Sequence, residues 1–141
     1  MGARSHPDRD PEVQPMREKT ERVIREWTDT CDAEVSIAVL GGAWKPSILS
    51  LLAEHGVLRF GELGRLLDNP TARVLTRQLR ELEQDGLVTR TVYQQVPPKV
   101  EYRLSELGES AGPLVEALTR WGGHYAGLQR ATPAVVAPTA G

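Results

Sequence analysis

At Gly86 the apolar periodicity of this chain changes from helical spacing to strict alternation, and few folds accommodate that change where it falls. Before it, Phe60, Leu63, Leu66 and Leu67 describe a short helix with a polar outer side. Asp68-Asn69-Pro70-Thr71 then forms a turn, with Asn69 or Thr71 available as N-cap of the next helix. That helix is expected over about 72–84. With roughly 100° per residue, Val74, Leu75, Leu79 and Leu82 gather on one side. Arg73, Arg77 and Arg80 fall within roughly a 60° arc on the other, flanked by Thr76.

After Gly86, Val88, Arg90 and Val92 alternate with Leu87, Thr89, Thr91 and Tyr93. A second run sets Val100, Tyr102 and Leu104 against Glu101 and Arg103. Gln94-Gln95-Val96-Pro97-Pro98-Lys99 joins them, so the segment reads as a β-hairpin with a proline-stiffened tip. Helix, turn, basic helix and hairpin is the order of a winged helix-turn-helix. Its basic helix can enter a major groove, where arginine pairs with guanine O6 and N7, while Lys99 on the wing meets phosphate or the minor groove. Three arginines on a helix face are, taken alone, solvation more often than recognition. The preceding turn and the following hairpin favour recognition.

The flanking segments are helical. Val13, Met16, Thr20, Val23 and Trp27 step by three or four along a short amphipathic helix. A second helix is expected over about 32–40, ending at Gly41-Gly42. A third has Pro46 in its first turn, with Ile48, Leu49, Leu51 and Leu52 as its buried face, and ends near His55-Gly56. After the hairpin, Ser105 caps one last helix, in which Pro113 introduces a kink and Gly122-Gly123 a weak point. Its apolar positions Leu107, Ala111, Leu114, Leu118, Trp121, Tyr125 and Leu128 alternate steps of four and three, a heptad seam. Such a seam serves a second copy of the chain, with Val23, Trp27, Leu114, Leu118, Trp121 and Tyr125 at the interface; the alternative is packing along the domain's own back. The expected fold is therefore mainly α with a small β-hairpin (α+β): a winged helix-turn-helix with extra N- and C-terminal dimerisation helices. It occupies 13–130, between disordered tails at 1–12 and 131–141.

Composition narrows the function classes. The 141 residues suit one domain, and a net charge of −2 gives no general reason to bind nucleic acid. Yet Arg59 to Arg103 holds eight basic and six acidic residues, so the charge is locally reversed. One cysteine excludes an internal disulfide and fits a reducing, cytoplasmic setting. The N-terminus carries no apolar leader, and no run is long enough to span a membrane. His6, His55 and His124 are scattered, Ser47 and Ser50 lack a nearby histidine, and Gly41-Gly42 lacks the Lys-Ser/Thr ending of a phosphate-binding loop. No enzyme, metal or cofactor is expected. The rival class is a winged helix that binds protein.

Several blocks together resemble the HxlR-type transcriptional regulators: Leu40-Gly41-Gly42-Ala43-Trp44-Lys45, Arg59 to Leu63, Val74 to Leu82, Asp85 to Val88, Tyr93 to Tyr102 and Leu104 to Gly108. The resemblance covers roughly 31–125. It implies a bacterial or archaeal homodimer that binds a near-palindromic double-stranded operator through Thr71, Arg73, Thr76, Arg77 and Arg80, with Lys99 in the wing and Lys45 as a phosphate contact. Trp44 is read as packing. The resemblance also makes Cys31 a candidate sensor of oxidants or electrophiles, although the family's Cys-Pro is Cys31-Asp32 here. Asp29, Asp32 and Glu34 oppose a lowered thiol pKa, and a half-buried, inert side chain is the alternative. A small effector would sit between the terminal helices and the domain near Trp27, Trp44 and Trp121, residues that serve equally as core and seam.

Overall fold

The computed structural model describes residues 16–27 and 32–131. The tail expected over 1–12, all of the C-terminal one except Ala131, and Cys31 lie outside these residues. Among the described residues seven helices and three strands follow in the order α1 (Glu18–Trp27), α2 (Ala33–Leu40), α3 (Lys45–His55), β1 (Val57–Arg59), α4 (Phe60–Leu66), α5 (Ala72–Gln84), β2 (Val88–Tyr93), β3 (Lys99–Leu104), α6 (Glu106–Ser110) and α7 (Gly112–Ala131).

Helix α3 carries the centre of the core. Its Ile48, Leu49 and Leu52 pack with Leu63 of α4 and with Leu75, Leu79 and Leu82 of α5, all buried. Glycine lets the chain close around α3. Gly42 has φ +148, and a Cβ there would stand 2.5 Å from Gln78 Oε1 of α5. Asp68 and Asn69, both at positive φ, reverse the chain between α4 and α5, and Asn69 N–H donates to Gly64 O at 2.8 Å. These two residue types tolerate the left-handed region better than most.

The hairpin is present, in a larger sheet than the alternation indicates. Strand order is β1-β3-β2, antiparallel throughout, with Leu58 opposite Tyr102 on one side of β3 and Arg90 opposite Tyr102 on the other. Strand β1 is three residues long, too short to show a period, and only its central Leu58 is buried. It forms because β3 offers it an edge.

The expected single C-terminal helix is two. Ser105 caps α6, its Oγ accepting from Gly108 N–H at 3.0 Å and donating to Gly86 O. The helix then stops at Ser110, and α7 begins at Gly112 with Pro113 in its first turn. Pro113 has no N–H for the carbonyl four residues back, so it cannot continue α6, but it is tolerated where α7 starts. Gly122-Gly123 does not interrupt α7. No single helix among the described residues is long and apolar enough to cross a membrane.

Candidate nucleic-acid interface

Helix α5 is held by its ends and its inner face. Thr71, in extended conformation, accepts Val74 N–H on its Oγ1 at 3.2 Å, which decides between the two candidate caps. Leu75, Gln78, Leu79 and Leu82 point inward and are buried. The remaining side presents Arg73, Arg77 and Arg80 to solvent beside the half-buried Thr76. These residues line one open groove of about 710 Å³ together with Ala72, Glu81, Gln84 and Arg17. The structure therefore brings Arg73, Thr76, Arg77 and Arg80 onto one ridge, with Thr71 exposed at the N-cap of the same helix, and sets Arg17 from just before α1 at the border of the groove.

The sheet contributes beside this ridge. Arg90 and Tyr102 are cross-strand partners, and with Thr76, Leu79, Arg80 and Glu83 they line a cleft between α5 and the sheet. Arg90 occupies the face shared with Val88 and Val92, but only Val88 is buried, because the ribbon extends past the end of the core. A charged residue among apolar ones was the available signal that this face leaves the core. Lys99 is in the wing and is partly engaged there. Its ammonium lies 2.9 Å from Glu101 Oε1 and 4.9 Å above the Tyr93 ring. Tyr93 OH donates to Glu101 Oε2 at 3.3 Å, and Arg103 lies 3.5 Å from the same oxygen. The hydrogen bond from Lys99, more than any other neighbour, holds the Glu101 carboxyl below its ordinary range.

Lys45 corrects the sequence reading. Its side chain is 1% exposed, with Nζ 3.3 Å from Glu81 Oε2, so it cannot serve as a surface phosphate contact in this conformation. Lys45, in the first turn of α3, faces α5 rather than solvent. Burial, and next the positive charge of Arg17, push the Lys45 ammonium below its ordinary pKa, while Glu81 and Asp85 act the other way. Trp44 packs against the core, as expected.

Lys45 belongs to a buried ionic cluster that sequence reasoning missed. Arg17 donates from its backbone N–H to Asp85 Oδ1 at 2.7 Å and from Nε to Asp85 Oδ2 at 2.8 Å. Its Nη1 reaches Glu81 Oε2 at 3.1 Å and its Nη2 reaches Ala38 O at 2.9 Å. Thr20 Oγ1 adds a bond to Asp85 Oδ1 at 3.0 Å. Arg77, Glu81 and Asp85 are spaced by four, so they follow one line down α5 from the exposed ridge into this cluster. Among the described residues no group of three or more His, Cys, Asp or Glu side chains could hold a metal ion.

A basic ridge on the second helix of a tight pair, beside a three-stranded wing, is the arrangement of a winged helix-turn-helix. The sequence profile of the HxlR-like helix-turn-helix family matches residues 39–130. The chain belongs to that family. Its sequence is 50% identical over 97 residues to the uncharacterised HTH-type transcriptional regulator YkvN of Bacillus subtilis, covering 69% of this chain and 81% of that protein. Among solved structures it is similar to redox regulator HypR in its oxidised form, with TM-score 0.61 and 46% identity, over 67% of this chain and 96% of that one. It is also similar to the reduced transcriptional regulator YodB from B. subtilis, with TM-score 0.56 and 30% identity, over 64% of this chain and 89% of that one. This HxlR-like protein is a transcriptional regulator of the helix-turn-helix type, and α5 occupies the recognition-helix position.

The same HxlR-like chain carries an exposed apolar stripe on α7. On α7, Val115 is buried and packs with the core, whereas Leu114, Leu118, Trp121 and Tyr125 are exposed. Trp121 and Tyr125 stack, ring centroids 5.5 Å apart. Val23 on α1 is half-buried, and the Trp27 side chain lies outside those described.

Proposed function

We propose that this regulator binds a near-palindromic operator in double-stranded DNA as a homodimer, with α5 of each copy in the major groove. The observation that carries the reading is the exposed line of Arg73, Arg77 and Arg80 on a helix whose opposite face is wholly committed to the core. Guanidinium groups so exposed, that of Arg77 only loosely paired with Glu81 at 3.7 Å, suit bidentate guanine contacts and phosphate contacts. Thr71 and Thr76 flank them, and Arg90 and Lys99 approach the backbone from the wing. The exposed apolar stripe of α7 supports the dimer, since apolar side chains repeated at heptad spacing gain most from a second helix. Two-fold pairing would set the recognition helices about 34 Å apart, one turn of the duplex.

Footprinting and gel shift on the chromosomal region around the gene test this. A protected, near-symmetric site whose binding weakens steeply with salt is the expected result. Absent or salt-independent binding would instead favour a winged helix that docks on protein.

The similarity to redox regulator HypR supports a narrower reading, in which Cys31 lets oxidants or electrophiles change operator affinity. Diamide treatment is expected to shift the affinity of the wild type and leave Cys31→Ser unaffected. Equal responses would remove the sensor role.

A further inference from the structure

Three cations converge on the carboxylate of Glu81, and they do so unequally. Oε2 accepts from Arg17 Nη1 at 3.1 Å and from Lys45 Nζ at 3.3 Å, both side chains largely withdrawn from water. Oε1 stands 3.7 Å from Nε of Arg77, beyond hydrogen-bond distance, and the Arg77 side chain is 77% exposed. An arginine four residues before a glutamate on a helix is ordinarily drawn along the surface toward it. Here the attraction is weakened, because two buried cations already compensate the carboxylate in surroundings less polarisable than water.

Arg17 is fixed in that role by its other bonds. Its backbone N–H, Nε and Nη2 are all taken, two by Asp85 and one by Ala38 O, so the guanidinium stays with Glu81. It stands just outside α1, yet it borders the groove that holds Arg73, Arg77 and Arg80.

We propose that Arg17 is a positioning residue for DNA recognition: by sharing Glu81 it keeps the Arg77–Glu81 ion pair long and the Arg77 guanidinium exposed, so that Arg77 can exchange Glu81 for a base or phosphate. The proposal rests on the DNA-binding reading above. It gives the segment at the start of α1 control over one recognition side chain. Loss of the Arg17 charge leaves Glu81 undercompensated, and the long Arg77–Glu81 ion pair tightens to hydrogen-bond distance.

The test is a set of anisotropy titrations on the footprinted operator, each variant held below its melting transition. Arg17→Met is expected to weaken operator binding about tenfold, a size usual for coupled neighbours. In an Arg77→Ala background the same substitution should change nothing further, and Glu81→Gln should restore the Arg17→Met protein to within about twofold of wild type. A purely structural role for Arg17 would produce neither effect. If Arg17→Met alone does not fold, Arg17→Met/Asp85→Asn replaces it, because that pair leaves no unpaired buried carboxylate. Multiplicative losses in the Arg77→Ala background, or no rescue by Glu81→Gln, would overturn the proposal while leaving operator binding intact. A wild type that binds no operator removes the DNA-binding reading itself.

Discussion

Arg17 Nε lies 2.8 Å from Oδ2 of Asp85, joining the residue just before α1 to the C-cap of the recognition helix across 68 positions of sequence. The Asp85 side chain is 1% exposed, and its two oxygens accept from the Arg17 backbone, the Arg17 guanidinium and the Thr20 hydroxyl. A carboxylate so enclosed is tolerable only because it is paired and hydrogen-bonded. Asp85→Ala removes it and leaves the Arg17 guanidinium without its principal partner. A loss of about 3–5 kcal/mol is expected, measured by urea unfolding, with Thr20→Val costing only about 1 kcal/mol. A loss near zero for Asp85→Ala would mean that α1 is not anchored by this pair.

Lys45 makes stability depend on pH in the alkaline range. Burial lowers its pKa in the folded protein, so between that lowered value and the ordinary lysine value the unfolded chain binds more protons. Stability from this group is therefore least at pH values below the lowered pKa, where both states are charged. It rises as pH climbs through the folded pKa toward about 10.4. Denaturant titrations of the wild type, relative to Lys45→Met, should show that rise on the approach to about pH 10. A relative stability that falls over this range would contradict the direction.

Gly108 sits where α6 crosses the end of the sheet. A Cβ on it would stand 2.0 Å from Leu87 O, a backbone atom that cannot turn aside as a side chain would. Gly108→Ala is expected to destabilise by about 1–3 kcal/mol, as overpacking does, despite alanine's better helix propensity. Thermal melts decide it: an unchanged or higher melting temperature would mean that α6 shifts at no cost.

Arg90 should behave as a backbone contact. It reaches the cleft between α5 and the sheet from the wing side rather than from the ridge. Arg90→Ala should weaken operator and random duplex alike and lower the salt slope by about one. A loss confined to the operator would instead assign it a base.

Leu118 and Trp121 stand exposed near the middle of α7. Leu118→Glu places a charge in the heptad seam and should convert a dimer to monomer by analytical ultracentrifugation, with helicity retained by circular dichroism. A dimer that persists unchanged would move the interface elsewhere.

Much of this was legible locally. The apolar spacing of 72–84 located α5, the arc of three arginines located its outer face, and alternation around the Pro97-Pro98 tip located the wing. These signals survive in one dimension because helix and strand periods are properties of neighbouring residues. The boundary at Pro113 was half legible: a kink was expected, and the chain instead ends one helix and begins another.

What the basic ridge rests on was decided only in three dimensions. Lys45 read as a cation at an open helix start, and the packing of α3 on α5 turned it into a buried partner of Glu81, 36 residues away. Arg17 had no local mark at all, and β1 had too few residues to show one. The sequence by itself determined a helix with arginines on one side. The tertiary structure decided which charges face solvent and which hold the helix down, because a long side chain's partner depends on which elements pack together, and no period along the chain records that.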